Sequence, residues 1–205
     1  LEAARSGSVS AGSVCVADYQ TAGRGRLGRS WEAPPGSALL CSVLMQPSLP
    51  VDRLHLVTAA VALAGRAAAA PLEPVIKWPN DLLLDGRKLA GVLAEAELPW
   101  VVAGIGMNLS WAPEGAACLG PGADRDAVLD ALLAELGAMA DDWSVVPARY
   151  RAACATIGQP VRVEMPDPAD SFTGVAADVT DDGHLLVDVG MCLRTVAAAD
   201  IVHLR

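Results

Sequence analysis

Apolar positions along the chain recur at two different spacings, and the switches between them mark out the elements. Ser13 to Gln20 alternates and Ala38 to Gln46 is largely apolar, so both read as strands. Between Pro50 and Ala70 the spacing becomes helical: Leu54, Val57, Val61 and Ala64 recur with Leu56, Ala60 and Leu63. Asp52 stands near the start of that helix, where a negative charge suits its dipole. Val75 to Trp78 is a short strand. Leu82 to Leu84 and Lys88 to Glu95 then flank Asp85-Gly86, a pair that supplies the positive φ of a tight turn and predicts a hairpin. Trp100 to Leu109 is a further strand. Asp124 is a good N-cap for a helix with Leu129, Leu132, Leu133 and Leu136 on one face, and a second helix is predicted from Val146 to Thr156. Leu1 to Arg5 reads as the tail of a helix, with Gly7 as its stop signal.

From Pro160 the texture changes. Val161 and Val163 alternate, the runs 174–180 and 185–189 flank Asp181-Asp182-Gly183, and 195–204 closes the chain. Four or five short strands in so short a span predict a small β-barrel. A boundary at Gly158 to Pro160 therefore divides the chain into 1–158 and 159–205. The tail carries Arg162, Arg194 and Arg205 against eight acids, a net charge of −5, which argues against a barrel that reads nucleic acid.

Charge narrows the functional classes further. The 205 residues carry a net charge of −9, so bulk binding to nucleic acid or an anionic membrane lacks its basic face. Apolar residues make up 53% of the chain and aromatic ones only 4%, which predicts a core of small aliphatic groups. Cys15, Cys41, Cys118, Cys154 and Cys192 form no C-x-x-C pair and are odd in number, which fits free thiols in a reducing cytoplasm. His55, His184 and His203 are too scattered to suggest a metal cluster, and the sequence names no metal ligands. No apolar run approaches the roughly 20 residues of a membrane span, and no signal peptide is recognisable. Leu1 is not a methionine, so an upstream piece is expected to be missing.

Against this acidic background, residues 23–29 read Gly-Arg-Gly-Arg-Leu-Gly-Arg. Glycine lets a backbone approach a ligand closely, and arginine offers a planar fork matched to carboxylate or phosphate oxygens. Three like charges in so short a loop repel one another until an anion compensates them. A solvated basic loop is the alternative, and Trp31, with an indole suited to covering a flat group, weighs against it. A second polar knot, Lys77-Trp78-Pro79-Asn80-Asp81, reads as a strand end turning into a loop, because proline disfavours a central strand position. Simple turn hydrogen bonds are its other reading. The Asp85-Gly86 hairpin brings Asp81 and Lys88 to the same open end, and Gly91 permits close approach on that strand. Gly104-Ile105-Gly106-Met107-Asn108 is a third knot, either a ligand-facing strand with a terminal amide or a tightly packed strand ending in a turn. The inventory fits phosphoryl or nucleotidyl chemistry, which needs charge neutralisation and positioning, better than hydrolysis by a protein nucleophile.

In order, Tyr19 to Trp31, Lys77 to Asp81, Gly86 to Glu95 and Gly104 to Asn108 resemble the successive signatures of biotin protein ligases, and the tail resembles that family's C-terminal domain. The resemblance covers nearly the whole chain. It implies an α+β fold: a mixed, largely antiparallel central sheet flanked by helices, related to class II aminoacyl-tRNA synthetases, followed by a small SH3-like barrel. It implies two half-reactions, formation of biotinyl-5′-AMP from biotin and Mg-ATP, then transfer of biotin to a lysine of a biotin carboxyl carrier domain. By motif position it assigns Lys88, Arg26 and Asp81 to catalysis, with Asp81 orienting the incoming lysine. Gln20, Gly23, Arg24, Gly25, Arg26, Lys88 and Gly91 would bind biotin. Arg26, Arg29, Trp31, Asn80, Lys88 and Asn108 would bind ATP or the adenylate, Trp31 covering the adenine and Asn108 hydrogen-bonding it. Mg²⁺ would accompany ATP. The chain resembles the ligase-only type, working as a monomer or homodimer in the cytoplasm. Two features of the family lie outside this sequence: a Ser-Thr-Asn segment that helps grip biotin, expected just upstream of Leu1, and a winged-helix DNA-binding domain. A lipoate or octanoate ligase shares the fold, but the Gly23 to Arg29 run and Trp78-Pro79-Asn80-Asp81 favour biotin. A non-catalytic biotin or adenylate sensor has less need of Arg26, Asp81 and Lys88 together.

Overall fold

Alternation and hairpin signals do most of the building in the first part of the chain. A computed structural model describes residues 1–204. Strands β1 (Val14–Ala17), β2 (Ala38–Met45), β3 (Val75–Lys77), β4 (Asp81–Leu84), β5 (Arg87–Glu97) and β6 (Trp100–Asn108) form one sheet in the order β1-β2-β6-β5-β4-β3. Every pairing of these strands is antiparallel, so the sheet lies at the fully antiparallel end of what the resemblance implied. A single parallel bridge joins Ile76 to Cys154 at its edge. Asp85 (φ 51°) and Gly86 (φ 73°) turn the β4–β5 hairpin with both central residues left-handed, as a two-residue turn requires.

Register sorts the two faces of this sheet. Leu39, Cys41, Val43 and Met45 pair with Met107, Ile105, Ala103 and Val101, and all eight are buried on the helix-bearing face. After one short helical turn, α1 (Glu2–Arg5), at the start of the chain, helix α2 (His55–Ala68), preceded by a 3₁₀ turn at Val51–Arg53, lies against them almost wholly buried. Its Gly65 sits so close to the sheet that a Cβ there would come within 2.7 Å of Ile105 Cδ1. Helix α3 (Arg125–Asp141) is capped by Asp124, whose carboxylate accepts from the backbone N–H of Asp126 and Ala127. Its deepest row is Val128, Leu132, Leu136 and Met139, with Leu129 and Leu133 only flanking it. The predicted leucine face is therefore rotated by part of a turn, because the i, i+4 row that meets the core runs through Leu132. Helix α4 (Val146–Ala153) is shorter than predicted and carries the buried Tyr150.

On the opposite face the same register lines up small residues. Gly91 pairs with Gly106, Leu93 with Gly104, Leu40 with Gly106 and Ser42 with Gly104. A strip of bare backbone thus crosses β5 and β6 and forms the floor of the main cleft.

The remaining strands, β7 (Pro160–Glu164), β8 (Phe172–Val179), β9 (Leu185–Asp188), β10 (Leu193–Val196) and β11 (Asp200–His203), make a second antiparallel sheet ordered β10-β9-β8-β7-β11. Five strands form as predicted, but among the described residues β10 and β11 are not paired, so hydrogen bonding does not close a barrel. The apolar residues of this sheet, Val161, Val163, Ala176, Leu185 and Val187 among them, join the same core as the first sheet. The seam between the sheets is also polar. Arg53 pairs with Asp182 at 3.1 Å, Arg151 with Asp181 at 2.7 Å, and the Trp78 indole N–H donates to the Gly183 carbonyl at 2.9 Å.

Candidate active site

The glycine strip is roofed by the Gly/Arg segment, and between them lies a cleft of about 520 Å³. The segment folds back on itself as a small ribbon: Gly25 N–H donates to Arg29 O at 2.6 Å and Trp31 N–H to Gly23 O at 2.9 Å. Gly23 has to be glycine here, since a Cβ would stand 2.2 Å from the Trp31 carbonyl oxygen. At the tip Leu27 (φ 54°) and Gly28 (φ 75°) are both left-handed, and Leu27 is exposed. The ribbon delivers the Trp31 indole flat onto the floor, where a Cβ on Gly106 would come within 2.6 Å of the ring. The indole N–H is buried without a partner.

Lys88 and Asp81 meet as the hairpin predicted, Nζ to Oδ1 at 2.7 Å. Gly91 leaves the room for this pair: a Cβ on it would lie 3.2 Å from Lys88 Nζ and 3.5 Å from Asp81 Oδ1. The Lys88 ammonium also sits 5.8 Å from the Trp31 ring centroid, within cation–π range.

The three loop arginines do not wait unpaired for a ligand, which corrects the expectation of uncompensated repulsion. Arg24 donates to Glu95 at 2.9 Å, and Arg29 forms an ion pair with Asp200. The partly buried Arg26 lies 3.7 Å from Asp200 and donates at 3.3 Å to both Asn80 Oδ1 and Ala199 O. Burial pulls the Arg26 guanidinium below its ordinary value; Asp200 opposes this, and the charge on Arg29 adds to it. Glu95 and Asp200 therefore stand where substrate oxygens would otherwise satisfy the forks. Asp200 comes from β11, and nothing in the local sequence marks it; Glu95 lies within the motif that carried Lys88, without a role assigned to it.

The Lys77–Asp81 loop is held from several elements at once. Trp78 is 2% exposed. Its backbone N–H donates to Thr156 Oγ1 at 3.0 Å, and that hydroxyl also meets His203 Nε2 at 3.1 Å. Tyr150 donates its hydroxyl to Pro79 O at 2.9 Å, and burial raises its pKa well above the ordinary phenol value. Asn80 is stitched to β5 twice, its side-chain amide donating to Val92 O at 2.7 Å and its carbonyl accepting from Val92 N–H at 2.9 Å. Burial, and then the nearby Lys77 charge, hold His203 below its ordinary pKa. Tyr150, Thr156 and His203 went unread in the sequence, because a lone hydroxyl or imidazole beside a helix end or in a strand carries no motif.

Of the residues singled out from sequence, Gln20, Arg24, Gly25, Arg26, Arg29, Trp31, Asn80, Asp81, Lys88 and Gly91 line this one cleft. Gly23 and Asn108 do not. Gly23 faces a neighbouring hollow on the other side of the ribbon. Asn108 is 2% exposed and its amide N–H₂ donates to Ala117 O at 2.8 Å, pinning the 109–119 loop, while its Oδ1 is buried without a partner. Among the described residues no three His, Cys, Asp or Glu side chains cluster as a metal cage. The cleft carboxylates Asp81, Glu95, Glu164 and Asp200 are all in ion pairs, with Lys88, Arg24, Arg162, and both Arg26 and Arg29 respectively. A hard cation here would need most of its oxygen ligands from a bound phosphate chain, which is how Mg²⁺ is commonly held. The arrangement suits a flat group under Trp31, a carboxylate and phosphates among the cations, and an electrophile poised between Lys88 and Arg26.

The sequence profile of the biotin/lipoate A/B protein ligase family matches residues 1–108. The biotin--[acetyl-CoA-carboxylase] ligase of Mycobacterium tuberculosis is 41% identical to this chain, over all of it and 84% of the relative. The chain belongs to the biotin/lipoate A/B protein ligase family. Residues 156–204 match the biotin protein ligase C-terminal domain, which ties this family member to the biotin branch. The bifunctional ligase/repressor BirA of Bacillus subtilis is 28% identical over 93% of the chain, and the match spans 66% of that longer protein. Among solved structures, the biotin protein ligase from Aquifex aeolicus in complex with biotin and ATP superposes with a TM-score of 0.82. It is 25% identical, and the match covers 96% of this chain and 90% of that one. Among the described residues no helix of this ligase-family chain is long and apolar enough to cross a membrane.

Proposed function

We propose that this protein is a biotin protein ligase that makes biotinyl-5′-AMP from biotin and ATP and then transfers biotin to a lysine of a biotin carboxyl carrier domain, as the name of its acetyl-CoA-carboxylase ligase relative suggests. Residues 1–158 form the catalytic domain and 159–205 the small C-terminal one. The observation that carries the reading is the Lys88–Asp81 pair at the edge of a bare glycine floor, beneath a roof of three arginines.

In the first half-reaction a biotin carboxylate oxygen bonds to the α-phosphorus of ATP, and the bond to the pyrophosphate oxygen breaks. Charge builds on the oxygens around phosphorus. Lys88 can meet both the carboxylate and the α-phosphate, and a fixed cation in a partly enclosed cleft stabilises that charge more than water would. Arg26 and Arg29 exchange Asp200 for phosphate oxygens, and Arg26 then retains the adenylate. Trp31 covers the adenine. Gln20, Arg24 and the backbone at Gly25 and Gly91 border biotin, with Gly23 acting through the shape of the ribbon. Asn108 lies outside the cleft, and its unpaired Oδ1, rather than its N–H₂ group, would meet the base once the 109–119 loop that it pins shifts. Mg²⁺, arriving with the triphosphate, would neutralise phosphate charge. In the second half-reaction Asp81 accepts a hydrogen bond from the lysine amine, a general-base role in which geometry comes first. The five cysteines are all free, in keeping with a reducing cytoplasm.

One incubation tests the reading. The protein, ATP, biotin and a carrier domain are mixed, with lipoate and octanoate in parallel reactions, and the carrier is weighed by mass spectrometry. A biotin-sized gain on the carrier lysine that requires ATP is expected. A gain with lipoate or octanoate alone, or none with any acid, overturns it.

A further inference from the structure

A second cavity of about 210 Å³ adjoins the cleft, and Arg26 and Asn80 line both. Its rim includes the exposed Ala197 and Ala198 of the β10–β11 connection, and its walls include Leu93 and Ala94 of β5. This wall exists because the pairing of β4 with β5 ends at Gly91, and Asn80 takes up the next peptide, Val92, through two hydrogen bonds. The cavity is thus a window at the sheet edge, with alkyl groups from Leu93, Ala94, Ala197 and Ala198 on its walls and rim, the exposed His55 and half-buried Thr58 also on its lining, and Arg26 and Asn80 where it abuts the cleft.

We propose that this window is the passage by which the acceptor lysine of the protein substrate reaches the acyl-adenylate. The inference rests on the function proposed above. A lysine side chain is a compact amine on a four-carbon stem. Its methylenes match the alanine and leucine walls, and its amine arrives at Asn80, one residue from Asp81. An anionic group would find at the inner end an Arg26 already shared between Asn80, Ala199 and Asp200. Arg26 is also the partition, since its 3.3 Å bond to Asn80 separates the two spaces. Once Arg26 turns to the adenylate phosphate the partition opens, so the amine is admitted only when there is an adenylate to attack. The amine nitrogen then bonds to the biotin carbonyl carbon, the C–O bond to AMP breaks, AMP leaves with that electron pair, and the proton shed by nitrogen passes to Asp81 and on to solvent.

Ala198→Trp and Ala94→Leu narrow the window, the first at an exposed position where the fold tolerates bulk. Pyrophosphate release should stay within about twofold of the original protein, while single-turnover transfer from preformed enzyme-bound adenylate to the carrier should fall by about tenfold or more. n-Butylamine, supplied as a free acceptor, should be blocked to the same degree, whereas the smaller hydroxylamine should still cleave the adenylate. Unimpaired transfer overturns the passage. Loss of carrier transfer with butylamine unaffected overturns it too, because the rim is then only a docking surface. A parallel fall in pyrophosphate release assigns the cavity to the first half-reaction instead. Absence of pyrophosphate from the unsubstituted protein is the distinct signature that the underlying function is wrong.

Discussion

Two loops that bring polar side chains to the cleft are held in opposite ways. Residues 23–31 hang over the cleft on two ribbon hydrogen bonds and on ion pairs such as Arg24–Glu95, in which the arginine side chain is 70% exposed. Residues 77–81 are anchored from α4, from Thr156, from β5 and from the second sheet, with Trp78 driven into the seam. Exposed ion pairs contribute only about 0–1 kcal/mol, so Arg24 and Arg29, both well exposed, can let go of Glu95 and Asp200 at little cost, whereas Arg26 and Asp200, each only 20% exposed, are held more firmly. The buried hydrogen bonds around Trp78 resist breaking, because each would leave a desolvated polar group. Asn80 and Asp81 are therefore oriented before any ligand binds, while the arginine loop keeps internal carboxylates as stand-ins. A ligase that must close on a reactive adenylate needs both, a fixed bench and a clamp that lets go.

The largest expected effect lies where bench and clamp meet. Lys88→Ala should lower adenylate formation by roughly a thousandfold, the scale of losing one preorganised charge at a developing oxyanion. The fold should survive, since Lys88 lies partly exposed at the start of β5. Pyrophosphate release near the original rate would remove Lys88 from the chemistry.

Stability separates the two loops directly. Thr156→Val strips the acceptor from the buried Trp78 N–H and the partner from His203, and should cost about 1–3 kcal/mol. Arg24→Ala, which breaks only an exposed pair, should cost less than about 1 kcal/mol. Urea unfolding of the two variants side by side is the measurement, and equal costs would erase the distinction between bench and clamp.

A third substitution acts on the clamp alone. Gly106→Ala places a methyl 2.6 Å from the Trp31 indole, so the ring must lift from the floor. The KM for ATP should rise by about tenfold, equivalent to about 1.4 kcal/mol of lost binding, with the urea midpoint nearly unchanged. An unaltered KM would mean that Trp31 does not cover the adenine.

Local features of this architecture were legible in the sequence, and remote ones were not. Asp85-Gly86 specifies a turn through its own backbone preferences, and the hairpin it makes already implies that Lys88 meets Asp81. Glycines inside apolar strands announce a surface that something must approach, and Gly91 and Gly106 lie opposite each other on the cleft floor. The strand expected over 13–20 ends at Ala17, where Asp18 leaves the ladder to pair with Arg125 and to accept from Gly36 N–H. No pattern near Arg29 predicts Asp200, 171 residues away, and none near Trp78 predicts Thr156 and His203. Those partners are chosen by how the second sheet seats on the first, a tertiary fact that short-range spacing does not encode. The strands of the predicted barrel were legible but its closure was not, for the same reason: five alternating runs specify strands but not whether the two edges of the sheet join, and here β10 and β11 do not pair.

The smallest effect expected is on pH, and it belongs to the bench. Burial and the Lys77 charge depress His203, while burial and the facing His184 depress His55 on the same seam. In the unfolded chain both titrate near about 6.5. Folded molecules therefore bind fewer protons than unfolded ones between the depressed values and about 6.5, and stability rises with pH across that window. The contribution is complete above about pH 6.5 and is lost as the pH falls through the window. Both rings are in part solvent-accessible, so the slope should be modest. His203→Gln, which keeps a hydrogen-bonding group for Thr156 but cannot titrate, should shed part of the slope while leaving the urea midpoint at pH 7.5 close to its original value. Midpoints measured at intervals from pH 7.5 to 5.5 for both proteins read this out. If the original protein and His203→Gln lose stability in parallel, the imidazole at 203 is not what makes the seam sensitive to acid.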